Sequence, residues 1–328
     1  MSPPLKVWVA GARPRTLPAA VVPVVVGTAA GYLQSGHLVV TTGGLMACGS
    51  AFCGGFDRQV NWLNAVLALV VALGIQIGTN YVNDYADGVR GTDEQRVGPV
   101  RLVAGNLATV RQVKIAALGA FGLAGVAGLV LAARVTWWFI PLGLLCGLAG
   151  WAYTGGPKPY GYLGFGELFV FVFFGLVATG GSAYVQHAPF VVTVVGHQFS
   201  YDYNWGFALW AGVPIGFLAA ALLESNNLRD IATDVVAHKK TLAVRLGRRG
   251  AGIFYCVTLL LAALGIVVGV VQGYSPWTLL ALAAAPLAVV PVRLALGKEE
   301  GRALLPMLGA TARLQLAVGV LLTLGLLL

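Results

Sequence analysis

The sequence predicts an all-α polytopic membrane protein with nine transmembrane helices, on three observations. Of its 328 residues, 58% are hydrophobic and only 10% charged, with a mean hydropathy of +0.82. Soluble chains carry about 45–50% apolar and about 25% charged residues, so this chain has too little charge to cover a water-facing surface. Its apolar residues fall into runs of the roughly 20 residues that a bilayer crossing needs. Its basic residues collect on one side of those runs. The same composition excludes soluble, disordered, collagen-like and disulfide-framework classes. The 45 glycines suit helices that approach one another closely in lipid. The chain reads as a single membrane domain over residues 1–328.

Breaks at proline, glycine and charge clusters give the spans 17–34, 63–87, 111–133, 137–153, 164–186, 207–228, 250–272, 276–295 and 305–327. The first follows the basic segment Met1 to Arg15. Its apolar run, from Leu17 to about Leu33, has no clear cleavage site, so a retained first helix is expected rather than a signal peptide. The apolar stretch 38–56 is read as a loop or re-entrant piece because of its Gly, Thr and Ser content. The 187–206 connection, Val-rich with Tyr201, Tyr203 and Trp205, fits no pattern. Cys146 and Cys256 lie in apolar runs as small core residues. Cys48 and Cys53 could bridge only in an oxidising compartment, which their spacing does not reveal. No Cys/His spacing suggests zinc.

With the N-terminus inside, eighteen Lys and Arg fall on cytoplasmic segments, against Arg58 and Arg134 outside. Dropping one span would split the basic loops between the two sides, so the count supports an odd number of crossings. The expectation is a cell inner (cytoplasmic) membrane protein with its N-terminus cytoplasmic and its C-terminus extracytoplasmic. The net charge of +9 is then a topological bias and not a nucleic-acid surface.

Seven of the twelve acidic residues gather at the cytoplasmic ends of the second and sixth spans. Gln76, Asn80, Asp84 and Asp87 are spaced by four, four and three, which puts them on one helical face. Asn226, Asp230 and Asp234 repeat the spacing of four. Like charges at that spacing weaken a helix, and a carboxylate at a helix centre in lipid costs about 2.5–3.5 kcal/mol. Solvated helix ends paired with Arg90, Arg229 and Lys239 would offset this, yet would not explain why the pattern occurs twice. A hard-cation site does: magnesium takes one or two carboxylates and completes its shell with water and substrate phosphate. Arg90, Arg96 and Arg101 follow the first ladder, and Lys239, Lys240 and Arg245 the second, supplying cations for a developing diphosphate charge. A cation transporter is the rival reading, but its acids would lie near the midplane.

Asn80-Tyr-Val-Asn-Asp-Tyr-Ala-Asp87, with Gly91-Thr-Asp93 behind it, resembles the first aspartate motif of the UbiA superfamily of intramembrane prenyltransferases. Asn226-Asn-Leu-Arg-Asp-Ile-Ala-Thr-Asp234, followed by Lys240-Thr-Leu-Ala-Val-Arg-Leu-Gly247, resembles the second. The Gly-x-Asp form departs from the superfamily's commoner short spacing. It is typical of one branch, the 1,4-dihydroxy-2-naphthoate prenyltransferases of menaquinone synthesis. Ala12-Arg-Pro-Arg-Thr-Leu-Pro18, Gly98-Pro-Val-Arg-Leu-Val-Ala-Gly105 and Tyr153-Thr-Gly-Gly-Pro-Lys-Pro-Tyr-Gly-Tyr-Leu-Gly-Phe-Gly-Glu167 point to the same branch. The resemblance covers essentially the whole chain.

The resemblance implies nine helices around a central cavity, open to the cytoplasmic side and laterally to lipid. It implies Mg2+-dependent ionisation of a polyprenyl diphosphate, attack by the acceptor's carboxyl-bearing ring carbon, and loss of CO2 to give demethylmenaquinone. Asp84, Asp87, Asp230 and Asp234 would hold the ions, supported by Asn80 and Asp93. Arg101, Arg229 and Lys239 or Lys240 would neutralise the diphosphate, with Asn80 beside them. Tyr153 and Tyr160 would orient the acceptor or face the allylic cation, their other reading being interfacial anchors. Arg13 and Arg15 either grip the acceptor's carboxylate or anchor the N-terminus. Glu224 is a candidate base on a ring hydroxyl, and Glu167 suits a helix start. His238 beside Lys239 either touches phosphate or is solvated. A lipid-embedded site is apt, since an isoprenoid tail gains about 0.8 kcal/mol per buried methylene. A sister enzyme for another aromatic acceptor is the nearer rival. Periodicity encodes neither tail length nor oligomeric state.

Overall fold

The computed structural model describes residues 3–34, 37–39, 55–57, 59–90, 101–155, 159–186, 191–194, 197–200 and 203–328. Apart from two short hairpins and the connecting turns the described chain is helical, as a bilayer requires of any backbone whose polar groups cannot reach water. One hairpin pairs β1 (His37–Val39) with β2 (Gly55–Asp57) and flanks the 38–56 stretch, most of which, with Cys48 and Cys53, lies outside the described residues. The other pairs β3 (Val191–Val194) with β4 (His197–Ser200), where the Val-rich run of the 187–206 connection supplies β-branched residues.

The helices are α1 (Leu5–Ala12), α2 (Pro18–Gln34), α3 (Trp62–Arg90), α4 (Val110–Arg134), α5 (Phe139–Ala152), α6 (Gly166–Tyr184), α7 (Trp205–Val236), α8 (Leu242–Val271), α9 (Pro276–Leu296) and α10 (Leu305–Leu327). Seven of them, α3, α4 and α6 to α10, sit in segments long and apolar enough to cross a membrane. An eighth crossing is counted if α1 and α2, bent by 58° from one another, form one span. The chain is therefore a multi-pass membrane protein. The expected nine full crossings are not reached by length among the described residues: α5, the candidate at 137–153, has 14 residues. At a rise of 1.5 Å per residue it spans about 21 Å, short of the roughly 30 Å hydrocarbon core.

Local chemistry fixes the starts of α4 and α8. Thr109 and Gln112 close a reciprocal capping box at the start of α4, and the Thr241 side chain accepts from Val244 N at the start of α8. Within α8, Gly247 adopts φ 68°, ψ 172°, breaking the helix after Leu246 with a conformation that glycine tolerates. α7 lies at the centre. Trp210, Ile215 and Leu218 pack with Val22 and Val26 of α2, Ile266 of α8 and Leu314 and Leu322 of α10. Small residues let backbones touch, which drives helix association in lipid. A Cβ on Gly175 of α6 would fall 2.5 Å from the Gly216 Cα of α7. Within α6, residues Phe171–Val177 form π-helical turns, a distortion that recurs at functional sites. They help to line the cavity described next.

Candidate active site

A cavity of about 310 Å³ lies between α2, α3, α4, α5, α6 and α7. Along α3 its wall changes character. Ala68, Val71, Ala72 and Ile75 form an apolar stretch, and Gln76, Asn80, Asn83 and Asp87 a polar one. The polar end also receives Arg101, Asp234 and Lys239, and the apolar part is completed by Leu142, Phe169, Phe173 and Val177.

Asp87 is the hub of the polar end. Its Oδ2 accepts from Arg101 Nη2 at 3.1 Å, and its Oδ1 from the Tyr162 hydroxyl at 2.6 Å and Lys239 Nζ at 3.1 Å. Lys239 lies 4.7 Å from the Tyr162 ring centroid, a cation–π contact. Residues 14, 75 and 152 positions away in the sequence thus meet at one buried carboxylate. The segment joining α7 to α8 is seated by its backbone: Lys239 N donates to Asp234 O at 2.8 Å and Lys240 N to Tyr162 O at 2.9 Å. Of the two lysines, Lys239 lines the cavity and Lys240 does not. Lys239 is buried on Asp87, whereas the Lys240 side chain is exposed.

The ladder residues divide by position. Asp87 and Asp234, from different helices, line the cavity. Asp84 does not: its carboxylate accepts from Leu102 N at 2.8 Å and Val103 N at 3.1 Å, folding the segment that delivers Arg101. Asp230 is gripped by the neighbouring Arg229, Nε to Oδ1 and Nη2 to Oδ2, both at 2.7 Å, and is also absent from the cavity wall. Asn80 reaches the wall while donating to Ala12 O at 2.9 Å and Thr16 Oγ1 at 3.1 Å, tying α3 to the bend between α1 and α2. Arg13, at φ 53°, lines the cavity, and its buried Nη2 meets no acceptor among the described residues. Arg15 is exposed, as are His238 and Arg245. Asp93, Arg96 and Lys158 lie outside the described residues, and so does the side chain of Arg90.

The opposite wall is aromatic. Tyr153 meets Tyr160 edge-on at 5.5 Å, Tyr160 stacks on Phe169 at 4.1 Å, and Phe169 on Phe173 at 6.0 Å. The Tyr160 hydroxyl donates to Ala149 O at 2.9 Å. Burial raises its phenol above the ordinary value of 10.0, so it is neutral at any physiological pH. Glu224 is fully buried and does not line the cavity; it faces Glu167, whose Oε1 accepts from Asn227 Nδ2 at 2.6 Å. Sequence reasoning did not single out Tyr162, Asn83, Thr154 or Asn227. Tyr162 and Thr154 sit inside the Tyr153–Glu167 motif, and Asn83 on the face of the first ladder, which was the available signal.

Among the described residues no three His, Cys, Asp or Glu side chains gather closely enough to hold a metal by themselves. Magnesium does not need three: one or two carboxylates with phosphate and water suffice. Asp87 and Asp234 on one cavity, with Arg101 and Lys239 beside Asp87, are a donor set of that kind.

Residues 20–308 match the UbiA prenyltransferase family. Over 308 residues the chain is 46% identical to the 1,4-dihydroxy-2-naphthoate octaprenyltransferase of Mycobacterium tuberculosis, covering 93% of this chain and 91% of that one. It is 42% identical to the protein of the same name from Mycobacterium leprae, covering 93% and 90%. A solved UbiA homolog from Archaeoglobus fulgidus, bound to GPP and Mg2+, superposes with a TM-score of 0.55 over 96% of this chain and 99% of that chain. At 13% identity that likeness shows the fold alone.

Proposed function

The chain belongs to the UbiA prenyltransferase family, and we propose that it transfers a polyprenyl group from polyprenyl diphosphate to 1,4-dihydroxy-2-naphthoate in menaquinone biosynthesis. The names of its relatives support the acceptor. One structural observation carries the chemistry: Asp87 and Asp234 meet Arg101 and Lys239 at the polar end of a single, otherwise apolar cavity.

Asp87 and Asp234 are the residues that would hold Mg2+, with Asp93 added from sequence. Bound magnesium supplies positive charge against the developing diphosphate. Arg101 and Lys239, paired with Asp87 here, are the cations that a diphosphate would share. Asp84 acts at one remove, by holding the backbone that positions Arg101. The C–O bond to diphosphate breaks, and the allylic cation forms beside the Tyr153, Tyr160 and Phe169 rings, whose faces attract positive charge. The carboxyl-bearing carbon of the acceptor closes the new C–C bond. CO2 departs, its bonding electrons return to the ring, and the product is the quinol form of demethylmenaquinone. The isoprenoid tail occupies the apolar part of the wall, from Val71 to Phe173, where water is excluded.

We place the polar end at the cytoplasmic face of the cell inner membrane, because the basic segments that build it carry the positive-inside bias. On the same reading α5 is the ninth crossing, shortened, and the tail enters laterally from lipid. The test is to incubate purified protein with dihydroxynaphthoate and prenyl diphosphates of graded length and identify products by mass. Prenylated, decarboxylated naphthoquinol is expected. Product from 4-hydroxybenzoate in its place would reassign the acceptor.

A further inference from the structure

Glu224 is wholly buried in α7, and neither of its carboxyl oxygens meets a donor among the described residues. It faces the carboxyl of Glu167, at the start of α6, within hydrogen-bonding reach. Glu167 is itself only 4% exposed, and its Oε2 also lacks a donor. Two acceptor groups in contact in an apolar interior require a hydrogen between them, since two bare charges there would repel and neither would be solvated. The pair is therefore a carboxylic acid bonded to a carboxylate, and the mechanism above makes no use of it. Toward the cavity, Glu167 Oε1 accepts from Asn227 Nδ2 at 2.6 Å. Asn227 does line the cavity, as do Leu223, Tyr160 and Phe169 on the acceptor side. With Nδ2 committed to Glu167, the amide's orientation is fixed and its carbonyl is left as an acceptor.

We propose that the Glu167–Glu224 pair is a clamp that fixes the Asn227 amide so that its carbonyl accepts a hydrogen bond from a hydroxyl of the aromatic acceptor. The inference rests on the acceptor being a hydroxylated aromatic, as proposed above. Glu167 and Glu224 are positioning residues, and Asn227 makes the contact. A site built to hydrogen-bond a hydroxyl rejects ligands that lack it, because the buried partner is then left unpaired. The clamp would thus set acceptor choice rather than the handling of diphosphate.

The experiment measures KM for each substrate separately in wild type, Glu224→Ala, Glu224→Gln and Asn227→Ala. Glu224→Ala and Asn227→Ala should each raise the acceptor KM about tenfold, the worth of one hydrogen bond, with the KM for polyprenyl diphosphate unchanged. Glu224→Gln keeps an N–H to donate to Glu167 and should stay within about threefold of wild type. An acceptor with its hydroxyls methylated should lose the difference between wild type and Asn227→Ala. Parallel rises in both KM values, or a Gln variant as impaired as the Ala variant, would overturn the clamp. If Glu224→Ala does not fold, Glu167→Ala, which frees the Asn227 amide, takes its place, with the same rise in acceptor KM expected and an unchanged acceptor KM overturning the clamp. The functional reading is judged separately by which acceptor the wild type converts, and the KM comparison is then made with that acceptor.

Discussion

Replacing Tyr162 with phenylalanine removes one oxygen from the site and leaves the ring. That oxygen donates to Asp87 Oδ1 at 2.6 Å, and the ring carries Lys239 at 4.7 Å from its centroid. A hydrogen bond to a charged group contributes about 1.5–3 kcal/mol. Lys239 and Arg101 remain on Asp87 in the variant, so the carboxylate stays paired and the fold is kept. If Asp87 is oriented for metal and diphosphate by this bond, the full amount appears in the transition state. The expected fall in kcat/KM is then roughly 10- to 150-fold. Tyr162→Leu loses the cation–π contact too, which adds about 0.5–2 kcal/mol. The assay is initial rate in nanodiscs across a magnesium series, with thermal unfolding as the control for folding. A Tyr162→Phe enzyme within twofold of wild type at every magnesium concentration would refute the assignment of Asp87 as the hub.

Two further predictions concern stability. Asn64, buried near the start of α3, donates to Val185 O at 2.7 Å and accepts from Arg134 Nε at 2.8 Å. Asn64→Ala strands the buried Val185 carbonyl and should cost about 1–3 kcal/mol, read as a lower unfolding midpoint with both KM values unchanged; an unchanged midpoint would contradict it. The raised phenol of Tyr160 gives a pH signature with a definite sign. The unfolded chain releases this proton first, so the contribution is complete below the ordinary value of 10.0 and is lost as pH rises beyond it. Tyr160→Phe should flatten the loss of stability in that alkaline range, and an equally steep loss in the variant would contradict it.

The helices were legible because lipid forces each crossing to satisfy its own backbone, which leaves long apolar runs between charged loops. α10 and the core of α7 follow from that alone. α1 was not found: eight residues beside basic flanks are too few for periodicity to register. The π-helical turns of α6 have no propensity signature, and α5 proved shorter than its apolar run because Trp137 and Trp138 belong to the preceding turn. The first ladder was visible as spacings of four and three, which on the helix α3 place Asn80, Asp84 and Asp87 on one face. Spacing could not show that Asp84 is taken by the backbone of Leu102 and Val103 while Asp87 reaches the cavity. Tyr162 and Asp87 are 75 positions apart and Glu167 and Asn227 are 60 apart, contacts that only the tertiary fold creates.

The most direct test of the central claim is titration calorimetry of a non-ionisable polyprenyl thiodiphosphate, with and without Mg2+, into wild type, Asp87→Asn and Asp234→Asn. Wild type should bind only with the metal, and each variant should bind about tenfold or more weakly, with the double variant little worse than either single one, since both carboxylates serve one complex. Metal-independent binding by wild type, or undiminished binding by either variant, would contradict the claim that these two aspartates jointly hold a magnesium diphosphate.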